Sequence, residues 1–265
     1  MGSEPVPRSQ IGGRMIGVSF QSVANHARLL LQGRLACYKM ALSLVKDKAG
    51  LEIGGPSLVF RDCYRPHPIY ETVASQDNCV FSQKTVWDSH PNSYKFKSNK
   101  AAGRTIICDG SDLAGVADDS YDFILFSHNL EHLANPVKAL REWQRVARPS
   151  AGLILVLPNY TKTFDHLRKP TVVSHMLDDF NHDTREDDLT HLPEILQLHY
   201  LSRDLLAGTK EEFRQRSFDN FTNRYLHHHV FNEANSTELL SQIGFQVLAV
   251  ETAWPCHLFL LARMP

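Results

Sequence analysis

The sequence predicts an α/β fold built around a largely parallel sheet, and three segments support this prediction. The apolar stretch Leu51–Ile53 ends abruptly at Gly54 and Gly55, which is the pattern of a strand that runs into a glycine-rich loop. An apolar strand over residues 123–126 is followed by a helical pattern. The unalternating run Leu153–Leu157 suits a strand that is buried on both faces.

The segment Gly54-Gly55-Pro56-Ser57 predicts a ligand-binding loop, but not one for a triphosphate or a dinucleotide. Two adjacent glycines allow positive φ and leave no side chain between the backbone and a bound molecule. The loop lacks G-x-x-x-x-G-K-[ST], so no lysine is placed to meet a triphosphate, and it lacks G-x-G-x-x-G, so a dinucleotide fits poorly. The alternative interpretation is an ordinary turn between a strand and a loop.

Residues 118–146 predict a strand followed by a helix. The segment DDSYDFILFSHNLEHL consists of a polar turn, an apolar strand and a polar loop. Pro136 is tolerated in the first turn of a helix, and Arg148 to Gly152 end it. Apolar residues recur at three-residue steps on one face of this helix: Val137, Leu140, Trp143 and Val146.

The composition of the chain argues against several classes of protein. With 43% hydrophobic residues, a chain of 265 residues can bury a large core. The 28 basic residues balance 29 acidic ones without a long basic block, so a nucleic-acid surface is not implied. Five cysteines without C-x-x-C spacing predict reduced thiols rather than a disulfide framework. No segment is apolar enough to span a membrane or to act as a signal core, and we expect a cytoplasmic protein.

Four motifs together resemble the class I S-adenosylmethionine-dependent methyltransferases, in particular the small-molecule type. They are LEIGGPS, CDGSDL at residues 108–113, DDSYDFILFSHNLEHL and RPSAGLILVLPN, in the order and at about the spacing of that family, over roughly residues 50–160. The C-terminal segment from Phe231 is similar to the family's last helix and final strand pair. The glycine loop departs from the usual E-x-G-x-G-x-G, because Pro56 and Ser57 follow Gly55.

The resemblance implies a Rossmann-like, seven-stranded, mostly parallel sheet flanked by helices, with a cap inserted after the fifth strand. The resemblance and the polar composition of the N-terminus together predict how the chain is divided into segments. We expect a disordered segment at 1–15, N-terminal helices at 16–50, the cofactor-binding core at 51–160, a substrate-covering insert at 161–226, and the last helix with the final strands at 227–265.

The resemblance further implies S-adenosylmethionine as the cofactor and assigns residues to its parts. The second strand is predicted at residues 68–77, so that Asp77 at its end would meet the ribose, with Asp88 as the alternative; Asp77 as a turn residue is also open. Asp109 matches the position near the adenine amine, or else caps its own loop. The remaining cofactor candidates are Glu52, Gly54, Gly55, Pro56, Ser57, Gly110, Ser111 and Ser127.

Methyl transfer to oxygen or nitrogen requires alignment of the acceptor and often removal of its proton. His128 follows the fourth predicted strand, where an imidazole could serve as the base at neutral pH; a loop histidine that only bonds the backbone is equally compatible. His132 fits a structural role better. The other candidate bases form the triplet His227, His228 and His229 before the last helix.

The insert is rich in groups that could hold a substrate or a metal. His191 and Glu194 stand three residues apart, and His199 follows five residues later. His191 and Glu194 are predicted to shape the acceptor site together with Asn159. A divalent metal on His191, Glu194 and His199 is possible but unsupported, because Pro193 interrupts the helix and H-E-x-x-H is absent.

These patterns predict a methyltransferase that acts on a hydroxylated or amine acceptor, such as a sugar, a glycan or a small metabolite. The alternative is a metal-dependent enzyme or a non-catalytic binding protein on the same fold. Ser127-His128-Asn129 lacks the acids that aminopropyl-transferring relatives need at this position. We expect no nucleic-acid or membrane partner.

Overall fold

The structure is a computed structural model that describes residues 33–85, 93–204 and 206–265. The predicted disordered segment 1–15, the first half of the predicted N-terminal helices and the candidate Asp88 lie outside these residues. Helix α1, Tyr38–Val45, falls within the predicted helical span 16–50 and buries Ala41 and Leu44 against the sheet.

The sheet has eight strands over the described ranges, in the order β3-β4-β2-β1-β5-β6-β8-β7. The pairs β1–β2, β1–β5, β2–β4 and β5–β6 are parallel, whereas β3, β7 and β8 pair antiparallel. The predicted fold class is confirmed, and the extra strand is β3, which is only two residues long. The strands are β1 Ala49–Ile53, β2 Ser75–Val80, β3 Ser93–Tyr94, β4 Gly103–Ile107, β5 Tyr121–Ser127, β6 Ala147–Pro158, β7 Gln246–Ala253 and β8 His257–Arg263.

Helix α2, Pro136–Val146, covers the residues predicted for it. The side chain of Asn135 caps its start by accepting a hydrogen bond from the Lys138 backbone N–H at 3.0 Å. The remaining helices are α3 Val173–Asn181, α4 Leu192–Leu198, α5 Lys210–Phe218, α6 Asn220–Asn223 and α7 Glu233–Gln242.

Both faces of the central strands β5 and β6 are buried, as was predicted for the run Leu153–Leu157 of β6: Leu153, Leu155 and Leu157 enter one hydrophobic cluster, and Ile154 and Val156 enter another. Ile124 and Phe126 of β5 pack with Trp143 on the side of α2 and α7. Phe123 and Leu125 face the opposite side, which α1 covers. Alternate side chains of one strand therefore enter two separate hydrophobic clusters.

The second strand lies later in the chain than predicted. Strand β2 begins at Ser75, and residues 68–74 form turns below the sheet. The apolar side chains of Ile69, Tyr70 and Val73 are buried there without joining the ladder, since the backbone N–H groups of Ile69 and Tyr70 bond to the carbonyl of Phe60. Asp77 is consequently a mid-strand residue, opposite Leu51 of β1, and does not end a strand.

Helices α3 to α6 lie between β6 and α7, in the segment predicted as an insert. The insert has a small hydrophobic cluster of its own around Leu192, Ile195, Phe213 and Tyr225. In the part of the chain that the structure describes, no helix is long and apolar enough to cross a membrane.

Candidate functional site

A cavity of about 740 Å³ opens at the carboxyl ends of the parallel strands. Its walls include Gly54 after β1, Phe81 after β2, His128 after β5 and Pro158 at the end of β6. Insert residues form the opposite wall. A cavity of this size at the strand ends is the usual location of ligands in open α/β sheets. The lining residues from the insert are Lys162, Thr163, Phe164, Arg203, Asp204, Leu206, Arg224 and Tyr225.

The glycine loop is held tightly against the strand ends. Gly54 has φ +75°, and a Cβ there would lie 2.2 Å from Nδ2 of Asn129, so a side chain is excluded. The Gly55 backbone N–H donates to Oδ1 of Asn78 at 2.9 Å, and Nδ2 of Asn78 donates back to the Gly55 carbonyl at 3.0 Å. Gly54, Pro56 and Ser57 line the cavity, whereas Gly55 lies behind them.

Glu52 does not face the cavity, which corrects its predicted role as a cofactor contact. Its side chain is fully buried and accepts hydrogen bonds from Tyr70 Oη at 2.7 Å, Gln76 Nε2 at 2.5 Å, the Ser57 backbone N–H at 3.0 Å, and Tyr94. Burial raises the pKa of this carboxyl group. Because neighbouring strand residues point to opposite faces, Glu52 lies below the loop and braces it.

Asp77 also lies away from the cavity. Its Oδ2 accepts hydrogen bonds from Nη2 of Arg104 and Oη of Tyr121, each at 2.9 Å. Strand β2 ends at Val80, and none of the residues 81–85 that follow it carries a carboxylate. The predicted ribose contact of Asp77 is therefore wrong, because the strand that carries it runs three residues further.

Asp109 and Gly110 do line the cavity, on the loop after β4. Oδ1 of Asp109 accepts hydrogen bonds from the backbone N–H and the hydroxyl of Ser111, at 2.9 and 2.8 Å. Oδ2 lies 3.1 Å from Nη2 of Arg224, which comes from the insert. Asp109 thus caps its own loop and faces the cavity as well, while Ser111 supports it from behind.

His128 faces the cavity beside Ser127 and adopts a positive φ of 53°. Its Nε2 lies 2.7 Å from Nδ1 of His257, so the two rings share one hydrogen bond. Burial, and then the neighbouring rings of His257 and His227, hold the pKa of His128 well below its usual range. The ring is therefore neutral at neutral pH.

Glu131 lies between two of the predicted histidines. Its Oε1 is 4.0 Å from Nδ1 of His128 and 4.0 Å from Nε2 of His227. Both carboxyl oxygens are buried without a hydrogen-bond partner among the described residues. Burial raises the pKa of Glu131 to about 7, so its proton is exchangeable near neutral pH.

His227 is oriented by a buried carboxylate. Its Nδ1 lies 2.5 Å from Oδ2 of Asp165, and Nη1 of Arg168 donates to Asp165 Oδ1 at 3.1 Å and to the His227 carbonyl at 2.8 Å. Burial lowers the pKa of His227, but Asp165 and Glu131 outweigh it, and the pKa is raised overall. When the Nδ1–H group of His227 donates to Asp165, the lone pair on Nε2 of His227 points away from Asp165.

The histidine triplet is divided between two environments. His227 lines the cavity, whereas His228 and His229 do not. Nε2 of His228 is 3.0 Å from Nδ2 of Asn220, and burial lowers its pKa to about 3. Nε2 of His229 is 3.2 Å from the Ala134 carbonyl oxygen.

The predicted set of His191, Glu194 and His199 is not brought together. Helix α4 begins at Leu192 with Pro193 in its first turn, so His191 lies at its N-cap and His199 lies beyond its last residue. His191 meets His175, with 2.9 Å between their Nε2 atoms. The metal set suggested by the spacing is therefore wrong.

The other predicted substrate residues also have partners of their own. Glu194 lies 3.4 Å from Nε of Arg168. His199 lies 3.0 Å from Asp204 and stacks on Phe164 with ring centroids 4.3 Å apart. Asn159 is outside the cavity wall and accepts a hydrogen bond from the Thr161 hydroxyl at 2.8 Å.

The sequence prediction missed several residues of this site. Asp165 and Arg168 stand three residues apart, a spacing that pairs opposite charges and could have been noticed. Glu131 stands inside a motif that was recognised for its strand and loop. His257 and Arg224 carry no local signal, because their partners are far away in the chain.

Residues 71–155 match the model of a family described as a methyltransferase domain. No curated protein was found to match the chain. Among solved structures, the chain is similar to an S-adenosylmethionine-dependent methyltransferase from Mesorhizobium loti, with 13% identity over 86% of this chain and 98% of the other and a TM-score of 0.49. A SAM-dependent methyltransferase from Methanosarcina mazei has 15% identity over 86% of this chain and 98% of the other, with a TM-score of 0.48. One from Aquifex aeolicus has 14% identity over 86% of this chain and 87% of the other, with a TM-score of 0.44.

Proposed function

We propose that the chain is an S-adenosylmethionine-dependent methyltransferase that methylates a hydroxyl or amine of a small-molecule or glycan acceptor; the match of residues 71–155 to the model of a methyltransferase domain supports this. One observation carries the proposal. A single cavity is lined by the glycine loop at Gly54, by Asp109 and by His227, the partner of Asp165. The cavity therefore has residues that suit the cofactor at one end, Gly54 and Asp109, and it also contains a group that can accept a proton, His227.

The residues at the strand ends fit the cofactor. Gly54 and Gly110 leave the backbone open to a close approach, and the Asp109 carboxylate suits the adenine amine. Apolar side chains of Val80 and Phe81 border the same end. Asp77 lies outside the cavity, so two of the hydroxyl-bearing residues of the wall, Ser57 and Thr85, are the candidates for the ribose contact.

His227 is the best candidate base. S-adenosylmethionine supplies, when bound, an electrophilic methyl carbon on a sulfonium. As the acceptor oxygen or nitrogen attacks, its proton passes to Nε2 of His227, while Asp165 retains the hydrogen bond from Nδ1–H and stabilises the imidazolium. The products are the methylated acceptor, the thioether of the spent cofactor and one proton.

His128, the first choice from the sequence, ranks second. Its Nε2 is engaged with His257, and its lowered pKa makes it the weaker proton acceptor. The proposed role of His128 is to complete the cavity wall beside Glu131. Nδ1 of His128 lies 4.0 Å from Oε1 of Glu131.

The insert supports the proposal as a cover over the acceptor. Phe164, Leu206 and Tyr225 face the strand ends across the cavity. Their apolar surface would exclude water from the acceptor and the cofactor, which strengthens polar interactions within the site.

A metal-dependent reaction is favoured by one observation. Glu131, His132 and His227 each offer a ligand atom, and these atoms lie within 4.8 Å of one another. An ion held there would orient the acceptor instead of leaving His227 free as a base. Loss of turnover with a chelator, and its recovery with one divalent ion, would favour this second candidate.

The first experiment is calorimetric titration of the full chain with S-adenosylhomocysteine. Saturable 1:1 binding is the expected result. The protein with S-adenosylmethionine is then incubated with fractions of metabolites and glycans, and acceptors are detected by a mass gain of one methylene. Absence of cofactor binding would contradict the proposal, and binding without any methylated product would favour a non-catalytic binding protein.

A further inference from the structure

A second cluster of histidines lies behind the cavity. One ring nitrogen from each of His175, His191 and His229 lies within 4.8 Å of the others. Oδ2 of Asp179 is 3.6 Å from Nε2 of His175 and 3.6 Å from Nε2 of His229. We propose that the three histidines bind one divalent transition-metal ion, for which Zn²⁺ is the best fit, with the Asp179 carboxylate beside it.

The distances suit a small tetrahedral site. Bonds of about 2.0–2.1 Å to a tetrahedral zinc place two ligand atoms about 3.3–3.4 Å apart. The His175 and His191 nitrogens are 2.9 Å apart, and the ligand atoms of all three histidines lie within 4.8 Å of one another, so small side-chain shifts bring them to that value. Three imidazoles with a water molecule in the fourth position are an established ligand set for zinc.

Unpartnered polar atoms provide an independent argument. The side chain of His229 is completely buried, and its Nδ1 has no hydrogen-bond partner among the residues described. Oδ2 of Asp179 is likewise without a hydrogen bond, and the Asp179 side chain is only 10% exposed. Buried polar atoms without partners are rare and costly. A cation on Nδ1 of His229 would give that atom a partner and would offset the charge of the nearby Asp179 carboxylate.

The surroundings of His229 match those of a metal ligand. Its Nε2 lies 3.2 Å from the carbonyl oxygen of Ala134. Metal-bound histidines usually donate the second ring N–H to such a group, which fixes the ring and leaves the other nitrogen for the ion. Nδ1 of His229 is that other nitrogen.

The three ligands come from three separate segments. His175 lies on α3, and Asp179 stands four residues further along the same helical face. His191 is the N-cap residue of α4, and His229 lies two residues beyond His227. The ion would fasten the insert to the segment that carries the proposed base, which makes its role structural.

The test is metal analysis of the full chain, purified without a histidine tag and dialysed against metal-free buffer. About one zinc ion per chain is expected, since three imidazole ligands on a folded scaffold hold zinc tightly. His175→Ala and His191→Ala should each lose most of the ion. His182→Ala, which removes an exposed histidine at the end of α3, is the matched control and should keep it. Circular dichroism checks that each variant is folded.

A second measurement uses the wild-type protein with Co²⁺ in place of zinc, so it does not depend on whether the variants fold. Wild-type protein stripped of metal and titrated with Co²⁺ should give the intense visible absorption of a four-coordinate site, saturating at one equivalent. Absence of both zinc and this spectrum would overturn the proposal. It would also be overturned if His132→Ala removed the ion while His175→Ala retained it, because the ion would then lie in the cavity. None of these readouts depends on methyl transfer.

Discussion

Nδ1 of His227 lies 2.5 Å from Oδ2 of Asp165; both side chains are buried, and His227 lines the cavity whereas Asp165 does not. The two residues are separated by 62 positions in the chain. Arg168 holds the carboxylate from its other side and so fixes the direction in which the histidine ring points.

Replacement of His227 by Gln should lower the rate of methyl transfer by about 100- to 10,000-fold, the usual cost of losing a general base. The affinity for S-adenosylhomocysteine should change little, because the ring serves the acceptor side. Single-turnover kinetics and calorimetry measure the two quantities separately. The control is His182→Gln, on the surface of the insert. Full turnover in His227→Gln would remove this residue from the mechanism.

Asp109→Asn should weaken binding of S-adenosylhomocysteine by about 10- to 100-fold, because a charge-assisted hydrogen bond contributes roughly 1.5–3 kcal/mol. Asp77→Asn is the matched control, since its carboxylate bonds Arg104 and Tyr121 outside the cavity. Asp77→Asn should reduce thermal stability and leave the affinity unchanged. Equal loss of affinity in both variants would contradict the assignment of the cavity wall.

Tyr70→Phe should destabilise the protein by about 1–3 kcal/mol, because Glu52 and the Ser57 backbone N–H both lose a buried partner. The glycine loop would be held less firmly, so cofactor affinity should also fall. Urea unfolding and calorimetry give both numbers. Tyr200→Phe removes the same hydroxyl from a side chain that is 45% exposed, and it should have little effect. An unchanged unfolding free energy in Tyr70→Phe would show that the hydrogen bonds of Tyr70 to Glu52 and Ser57 do not contribute to stability.

His67 should make the protein sensitive to acid. Neither ring nitrogen has a hydrogen-bond partner among the described residues, and burial lowers its pKa to about 4. The unfolded chain binds a proton near pH 6.5, which the folded state cannot match, so stability is lost as the pH falls below that value. Between pH 8 and pH 5 the loss is about 2 kcal/mol.

His67→Phe tests this expectation, since His67 already packs against the rings of Phe60 and Phe259. The unfolding free energy of the variant should depend less on pH than that of the wild type, by about the same 2 kcal/mol. Denaturant unfolding at both pH values gives the difference. Parallel curves for the two proteins would mean that the histidine is accessible to protons in the folded state.

Local signals in the sequence determined much of the fold. Pro136 in a first turn and apolar residues at three-residue steps predicted α2 with its observed bounds. The apolar run of β6 predicted a strand that is buried on both faces. The motifs around it predicted a methyltransferase, and residues 71–155 match the model of a methyltransferase domain. Such features depend on residues within one element, so they can be recognised without knowledge of the neighbours.

Tertiary structure alone decided which polar side chains reach the site. The sequence placed Glu52 and Asp77 at the cofactor, but strand register turns Glu52 towards Tyr70 and leaves Asp77 in the middle of β2. It also grouped His191 with Glu194, whereas the fold brings His191 to His175. Partners such as Asp165 and His227 lie far apart in the chain, and their proximity arises only when the insert packs against the strand ends. Spacing along the chain carries no information about contacts of that kind, because they depend on how whole elements pack together.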